Sequence, residues 1–346
     1  MKIKMKLNMK TLFIILAMIT SIDIIGGDNI NNYKQLINLK GNWKFMIGDD
    51  LKRSNPSYND TNWENIIAPS SWEDQGFPGY DGYAWYRKTV TIPSINKNQK
   101  MILYLGYIDD VDEVYFNGYK IGHKGSFPPN YWTAYNSERL YLIPQELIKN
   151  NQSNIIAVRV YDSQLGGGIV NGEIGIYVKE VELPPDISLE GFWKFKTGDN
   201  MEWATKGFPD SAWKKITVPG YWEDQIVSDY DGFGWYRKHF KVDEAFKEKR
   251  FVLMLGKIDD LDEVYINGKL VGHTGTIYKD TTKIYMNGEY IQDRYYYLNQ
   301  DVLLPGQINT IAVRVYDGYG EGGIYSGPIG LIELRKFVNY WRVRNR

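Results

Sequence analysis

Two nearly identical phrases, 150 residues apart, constrain this chain more than any other feature of its sequence. IDDVDEVYFNG begins at Ile108, and IDDLDEVYING begins at Ile258. Three more pairs keep this offset: LKGNWKF and LEGFWKF, SWEDQ and YWEDQ, and YDGYAWYRK and YDGFGWYRK. Solenoid repeats have periods of about 20–50 residues, so the longer period predicts a duplicated domain.

The offset changes once along the chain. NIIAVRVYD begins at Asn154 and NTIAVRVYD at Asn309, an offset of 155 residues. The additional residues therefore lie between His273 and Asn309, where KDTTKIYMNGEYIQD predicts a longer loop or an added hairpin.

The domain boundary is predicted at the segment ELPPDIS. Pro184 and Pro185 cannot donate backbone hydrogen bonds and would interrupt a β-ladder. We therefore predict one domain over 34–183 and a second over 186–335. The last residues, 336–346, are basic and aromatic, and we expect them to form a solvated tail.

The residue patterns within each copy are typical of β-structure. MILYLGYI and FVLMLGKI are short apolar runs, and EVYFNGYKIG and EVYINGKLVG alternate around Asn-Gly, a strong hairpin signal. IIAVRVYD places Ile156, Val158 and Val160 on one face. No long segment shows a sustained period of 3.6 residues. We predict an all-β chain of two tandem jelly-roll β-sandwiches.

Composition and the N-terminus limit the functional classes. The absence of cysteine excludes disulfides and thiolate metal sites, and the net charge of -1 does not indicate nucleic-acid binding. Lysines precede the apolar stretch TLFIILAMITSIDII, so we predict a signal peptide over 1–27, with cleavage between Ser21 and Gly27. An uncleaved N-terminal anchor is the alternative. Either implies export to the periplasm, the cell surface or the extracellular space.

The order of these motifs carries a family resemblance. The series L.G.WKF, W...P.SWED, YDG..WYRK, LG.IDD.DEVY.NG and N.IAVRVYD....GGI resembles the N-terminal sugar-binding domain of glycoside hydrolase family 2. The same galactose-binding-like module resembles segments of sialate O-acetylesterases. The resemblance covers both copies, and it implies a jelly-roll sandwich that packs beside a catalytic (β/α)₈ barrel in the family.

The resemblance does not extend to the catalytic machinery. A catalytic barrel needs roughly 250 residues. The predicted signal peptide and two sandwiches occupy nearly all of this sequence, so we expect the barrel to be absent. Glycoside hydrolysis needs two facing carboxylates about 5–9.5 Å apart, and no position matches the carboxylates that the family's barrel supplies. A new pair formed by the repeats is the alternative. There is no G-x-S-x-G elbow, and we expect His123 and His273 to be structural or at the surface.

Three interpretations of the acidic phrase remain open. Asp109, Asp110 and Asp112 could cap the corner between two strands, or a carboxylate could pair with Arg87 or Arg159. The third interpretation is ligand binding, because carboxylates accept hydrogen bonds from sugar hydroxyls and also coordinate Ca²⁺. These aspartates are therefore our candidate calcium ligands, and no other cofactor is predicted.

The loops supply the candidate sugar-binding residues. An aromatic ring can stack on a sugar while flanking carboxylates bind its hydroxyls. We expect Trp43, Trp63 and Trp85 to fill the core, and Trp72 and Trp222 to be exposed for ligand contact. The predicted ligand-binding set is Trp72, Glu73, Asp74, Tyr80, Asp81 and Asp162, with Trp222, Glu223, Asp224, Tyr230, Asp231 and Asp317 in the second copy.

These observations together predict an exported carbohydrate-binding protein that does not hydrolyse its ligand. Its expected partners are a glycan or oligosaccharide and a separate catalytic or envelope protein, and two weak sites could gain avidity on one glycan. One alternative is an enzyme related to β-galactosidases, β-glucuronidases or sialate O-acetylesterases. Another is a structural module for envelope assembly.

Overall fold

The computed structural model describes residues 30–95, 99–278 and 284–344. The signal-peptide prediction lies outside the described residues, as does part of the longer loop predicted in the second copy. Within the described residues, no helix is both long enough and apolar enough to cross a membrane.

The first sandwich consists of two facing antiparallel sheets. One sheet has the strand order β3-β2-β4-β9-β6-β7; the other has the order β1-β11-β5-β10, with β8 also paired to β5. The strands are β1 Lys34–Asn38, β2 Gly41–Ile47, β3 Glu64–Ala68, β4 Gly82–Thr91, β5 Gln99–Asp109, β6 Val111–Phe116, β7 Tyr119–Lys124, β8 Glu138–Leu142, β9 Ser153–Asp162, β10 Gly168–Asn171 and β11 Gly175–Glu180.

The second sandwich repeats this plan. Its sheets have the orders β14-β13-β15-β20-β17-β18 and β12-β21-β16-β19, and β21 is one long strand where the first sandwich has β10 and β11. The strands are β12 Ile187–Ser188, β13 Gly191–Thr197, β14 Lys214–Val218, β15 Gly232–Lys241, β16 Phe251–Asp259, β17 Leu261–Ile266, β18 Lys269–Thr274, β19 Asp293–Tyr297, β20 Ile308–Asp317 and β21 Gly323–Glu333. The all-β prediction of tandem sandwiches is confirmed.

Alternating side chains build the core between the two sheets. In β9, Ile156, Val158 and Val160 are fully buried, and they pack with residues of β5 in one cluster. Trp43 and Trp85 are buried as predicted. Every second residue of a strand points to the same face, so the apolar positions cover one side of each sheet.

The Asn-Gly hairpin forms as the sequence predicts. Asn117 and Gly118 join β6 to β7 with φ angles of 49° and 83°. A two-residue turn of this type requires positive φ at both positions, which Asn and Gly adopt most readily. Asn267 and Gly268 repeat the turn between β17 and β18.

The C-terminal segment differs from the sequence-based expectation of a solvated tail. Residues Leu334–Arg344 form an α-helix, α1, that packs on the second sandwich. Phe337 is buried, and Trp341, one helical turn later, packs against Tyr295. An apolar pair at i and i+4 places both rings on one face of the helix, so burial of that face holds the segment against the sheet.

The two sandwiches contact each other through unlike surfaces. Lys124, at the end of β7, forms ion pairs with Asp224 (2.7 Å) and Glu321 (3.8 Å) of the second sandwich. The backbone N–H of His123 donates to the carbonyl of Asp224 at 3.0 Å. A loop end of the second sandwich therefore lies against an edge strand of the first.

Candidate functional site

The acidic phrase lies at a corner where two strands meet. β5 ends at Asp109, β6 begins at Val111, and the Asp109–Asp110 peptide bond is cis. β9 runs antiparallel to β6 and ends at Asp162. One carboxylate oxygen from each of Asp109, Asp110 and Asp162 lies within 4.8 Å of the others. We refer to these three residues as the first aspartate cluster.

The second sandwich contains an equivalent group. Asp259 and Asp260 occupy the corner between β16 and β17, also joined by a cis peptide bond, and Asp317 ends β20. One carboxylate oxygen from each of these three residues also lies within 4.8 Å of the other two. We refer to Asp259, Asp260 and Asp317 as the second aspartate cluster.

Hydrogen bonds fix part of the first cluster. The Thr133 hydroxyl donates to Oδ1 of Asp110 at 2.6 Å, and the N–H and hydroxyl of Ser163 donate to Oδ2 at 3.0 and 2.8 Å. Asp162 is fully buried, and its Oδ1 accepts from the N–H of Gln164 at 3.3 Å. Among the described residues, Oδ2 of Asp162 has no hydrogen-bond partner.

Among the described residues, the second cluster has fewer side-chain donors. The Gly318 N–H donates to Oδ2 of Asp260 at 3.1 Å, where Gly318 replaces the hydroxyl-bearing Ser163. Asp317 is also fully buried, and its Oδ1 accepts from the Tyr319 N–H at 3.1 Å. Its Oδ2 has no hydrogen-bond partner within the described part of the chain.

Burial and mutual repulsion make ionisation of these groups unequal. Burial, followed by the hydrogen bond and charge of Asp110, raises the pKa of Asp109 to about 7. Burial also raises the pKa of Asp162 to about 7, and the charges of Asp110 and Asp109 add to this. Burial acts in the same direction on Asp110, but hydrogen bonds led by that of Thr133 outweigh it and lower the pKa of Asp110.

The second cluster shows the same effect of burial. Burial raises the pKa of Asp317 to about 6, with a further contribution from the charge of Asp260. Burial and the neighbouring Asp260 also raise the pKa of Asp259.

The structure does not bring Asp112, our third candidate calcium ligand, into the cluster. Asp112 is fully buried, and its Oδ1 accepts from Nε of Arg139 at 2.7 Å. Its Oδ2 accepts from the Tyr141 hydroxyl at 2.5 Å. Strand alternation points Asp112 into the sandwich, so this carboxylate belongs to a buried ion pair.

The partners predicted for these aspartates also differ from those observed. Arg87 pairs with Asp60 at 2.8 Å, and Arg159 pairs with Asp49 and Glu113. An arginine does pair with Asp112, as one of the predicted alternatives proposed, but it is Arg139 from the separate strand β8 and not Arg87 or Arg159.

The prediction that Trp72 and Trp222 are exposed is wrong. Both side chains have zero exposed area. The indole N–H of Trp72 donates to the carbonyl of Tyr80 at 3.0 Å, and that of Trp222 donates to the carbonyl of Tyr230 at 3.3 Å. Their rings fill the core beneath the loop and leave no free face for a sugar.

The acidic members of the predicted ligand set have different surroundings. Glu73 accepts a hydrogen bond from the Gly167 N–H at 3.1 Å, and its charge contributes to the raised pKa of Asp109. Asp81 is exposed, and its charge contributes to the raised pKa of Asp162. Asp74 is exposed at the same loop end. Glu73 and Asp81 therefore add negative charge around the first cluster.

Their counterparts in the second sandwich are held by hydrogen bonds and an ion pair. Glu223 accepts from the Gly322 N–H at 2.9 Å, and burial raises its pKa to about 8. Asp231 accepts from the Gly320 N–H at 3.3 Å. Asp224, the counterpart of Asp74, is committed to Lys124 at the contact between the sandwiches.

An exposed aromatic residue, adjacent in sequence to a residue that binds the first cluster, was absent from our sequence-based predictions. Trp132 lies between β7 and β8 and is 76% exposed. Its neighbour Thr133 binds Asp110, and the Tyr131 hydroxyl lies 3.0 Å from that of Ser163. Backbone hydrogen bonds between Trp132 and Ser126 close the base of the loop. The aromatic-rich segment FPPNYWTAYN was the available signal.

The second sandwich offers an exposed ring at a different position. Tyr319 is 86% exposed and directly follows Gly318, which binds Asp260. Its ring comes from the loop after β20, whereas Trp132 comes from the loop after β7. Each aspartate cluster thus has an exposed aromatic residue next to a residue that binds it.

Comparison with known proteins finds partial sequence similarity to glycoside hydrolases. No family model matches the chain. It is 33% identical over 94 residues to the β-galactosidase BoGH2A of Bacteroides ovatus, a match covering 23% of this chain and 11% of that protein. It is 27% identical over 136 residues to a β-glucuronidase of Formosa agariphila, covering 36% of this chain and 13% of the relative.

A solved structure of a β-glucuronidase also matches this chain over part of its own length. The crystal structure of Bacteroides uniformis β-glucuronidase matches over 82% of this chain and 28% of its own, with 16% identity and a TM-score of 0.35. The matches thus span only a small part of each relative. The two sequence matches support a relationship to β-galactosidases and β-glucuronidases of glycoside hydrolase family 2.

Proposed function

We propose that the chain binds carbohydrate without hydrolysing it and that the first sandwich carries the principal site. The observation on which this rests is the exposure of Trp132, whose neighbour Thr133 binds Asp110 of the first aspartate cluster. An aromatic face can cover the apolar side of a sugar ring, and nearby carboxylates can accept hydrogen bonds from its hydroxyls. The relatives' names add support, because galactosidases and glucuronidases act on glycosides.

The loop around Trp132 favours binding by a preformed surface. Phe127 stacks on Tyr83 with ring centroids 5.7 Å apart, and the Arg159 guanidinium lies over Phe127 at 4.2 Å. These contacts hold the base of the loop while Trp132 remains exposed. A preordered aromatic platform loses little conformational entropy on binding, which favours affinity.

The unequal pKa values of Asp109 and Asp110 favour an enzyme as the second candidate function. A glycosidase needs an acid with a raised pKa and an ionised partner. However, Asp110 is only 6% exposed, and both of its oxygens accept hydrogen bonds from Thr133 and Ser163. A carboxylate held in this way is poorly placed to attack a sugar, so we favour binding over hydrolysis.

A glycan-array screen of the chain tests this proposal. We expect binding of a limited set of glycans, with affinity about tenfold weaker in Trp132→Ala, equivalent to about 1.4 kcal/mol. Tyr135→Ala is the matched control, because Tyr135 is 56% exposed in the same loop. Tyr319→Ala measures the contribution of the second sandwich.

The alternatives give different results. Turnover of chromogenic β-galactosides or β-glucuronides that disappears in Asp109→Asn would indicate an enzyme. No glycan binding, together with stable capture of a protein from the same envelope, would indicate an assembly module. Glycan binding that is unchanged in both Trp132→Ala and Tyr319→Ala would reject the site proposed here.

A further inference from the structure

We propose that each aspartate cluster is a binding site for one Ca²⁺ ion. The ligands would be Asp109, Asp110 and Asp162 in the first sandwich and Asp259, Asp260 and Asp317 in the second. This inference is independent of sugar binding.

The first argument is the unsatisfied carboxylate at the centre of each group. Asp162 and Asp317 have no exposed area, and each keeps one oxygen, Oδ2, without a hydrogen-bond partner among the described residues. A buried carboxylate without full compensation is costly, and coordination of a cation is one of the ways in which proteins satisfy it.

The second argument is that side-chain cations near the first cluster are committed elsewhere. Arg139 is the cation whose charge lowers the pKa of Asp109, but its Nε is ion-paired with Asp112 at 2.7 Å. Within the described ranges, no lysine or arginine forms an ion pair with Asp110 or Asp162. Among the described residues, no side-chain cation therefore balances Asp110 and Asp162 through an ion pair.

The chemistry of the donors selects the ion. Carboxylate and hydroxyl oxygens are hard ligands that suit Ca²⁺ or Mg²⁺. Calcium–oxygen bonds are about 2.3–2.6 Å long, so oxygens on opposite sides of one ion are about 4.6–5.2 Å apart. Three carboxylate oxygens within 4.8 Å of each other can therefore share one Ca²⁺. Mg²⁺ needs shorter bonds and a stricter octahedron, which favours Ca²⁺ here.

Comparison of the two clusters adds an independent point. The second cluster keeps all three aspartates, but Gly318 stands where Ser163 donates a hydroxyl to Asp110. If the carboxylates were held only by the hydrogen bonds of the described residues, the second cluster would be the less well satisfied of the two. A shared ion accounts for three aspartates at both corners despite this loss.

Isothermal titration of the chelator-treated full-length chain with CaCl₂, without glycan, tests the inference. We expect two Ca²⁺ ions per chain and a thermal unfolding midpoint that rises with calcium and saturates. Equal concentrations of MgCl₂ should give a smaller rise. Asp162→Asn and Asp317→Asn should each reduce the stoichiometry by one, whereas Glu248→Gln, an exposed acidic control, should leave it unchanged.

Other outcomes would overturn the inference. No calcium uptake at millimolar concentration, with no change in the unfolding midpoint, would reject both sites. Two ions per chain in both asparagine variants would place the calcium elsewhere. A single ion lost in only one variant would reject the other site. Glycan binding is measured separately, so its failure would not affect these results.

Discussion

Removal of Arg139 should show how strongly the first sandwich depends on a buried ion pair. The guanidinium has no exposed area, and its Nε donates to Asp112 at 2.7 Å. Its Nη2 donates to the carbonyls of Ile108 and Asp110 at 2.7 and 3.0 Å. An Arg139→Met substitution keeps most of the volume but leaves Asp112 and these carbonyls without their donor.

The expected cost follows from what remains buried. Breaking a buried ion pair by removing one partner typically costs about 3–5 kcal/mol, because the other charge is left uncompensated. Asp112 would retain the hydrogen bond from Tyr141, so we expect a loss of about 3–4 kcal/mol in the free energy of unfolding. Adding Asp112→Asn removes the stranded charge and should recover about 1–3 kcal/mol.

Acidic pH should reduce this deficit. Burial raises the pKa of Asp112 even though Arg139 and Tyr141 act to lower it. Loss of Arg139 removes an opposing influence, so the carboxyl of the variant should take up a proton more readily. The neutral form is cheaper to bury, and the variant should therefore lose less stability at pH 5 than at pH 8.

Urea unfolding followed by tryptophan fluorescence measures these differences. Arg294→Met is the matched variant, because Arg294 pairs with the buried Asp262 at 2.8 Å in the second sandwich. A loss below about 1 kcal/mol in both variants, or a deficit that does not change between pH 5 and pH 8, would refute the reasoning.

Three further predictions follow from the same contacts. Trp72→Ala should cost about 3–5 kcal/mol in urea unfolding, because it empties a fully buried site; a loss below 1 kcal/mol would contradict the assignment of this ring to the core. The pKa of Glu223 is raised to about 8 in the fold, so it binds a proton there that the unfolded chain releases near pH 4.5. Stability should therefore fall as pH rises from about 4.5 to 8, and this slope should weaken in Glu223→Gln; an unchanged slope would assign it to other groups. Lys124→Glu should accelerate hydrogen exchange at the contact between the sandwiches about fivefold, equivalent to about 1 kcal/mol, and Asp224→Lys should restore protection if the ion pair is responsible.

The sequence predicted the fold well because its signals are local. Alternating apolar residues and the Asn117-Gly118 turn each specify β-structure within a few residues. The helix was missed because Leu334–Arg344 is short and basic, although Phe337 and Trp341 have the spacing of an apolar helical face.

The site was harder to predict because it depends on contacts between distant strands. Asp109 and Asp110 are joined by Asp162 only because β9 pairs with β6. The burial of Asp112 depends on Arg139, which lies on another strand. The acidic residues next to Trp72 in the sequence suggested an exposed ligand site. The ring is instead buried because it packs against Phe45, which comes from a different part of the chain.

The contact between the two sandwiches has a consequence for self-association. It joins unlike surfaces, and a contact of this kind can add further molecules head to tail without closing. Asp74, the counterpart of Asp224, is exposed and could start such growth. The second sandwich, however, has Thr274 in place of Lys124, so the equivalent position offers no cation to the Asp74 of another chain. The ion pair between the two sandwiches therefore cannot recur at this position between molecules, and the loss of this charge opposes head-to-tail growth into a fibre.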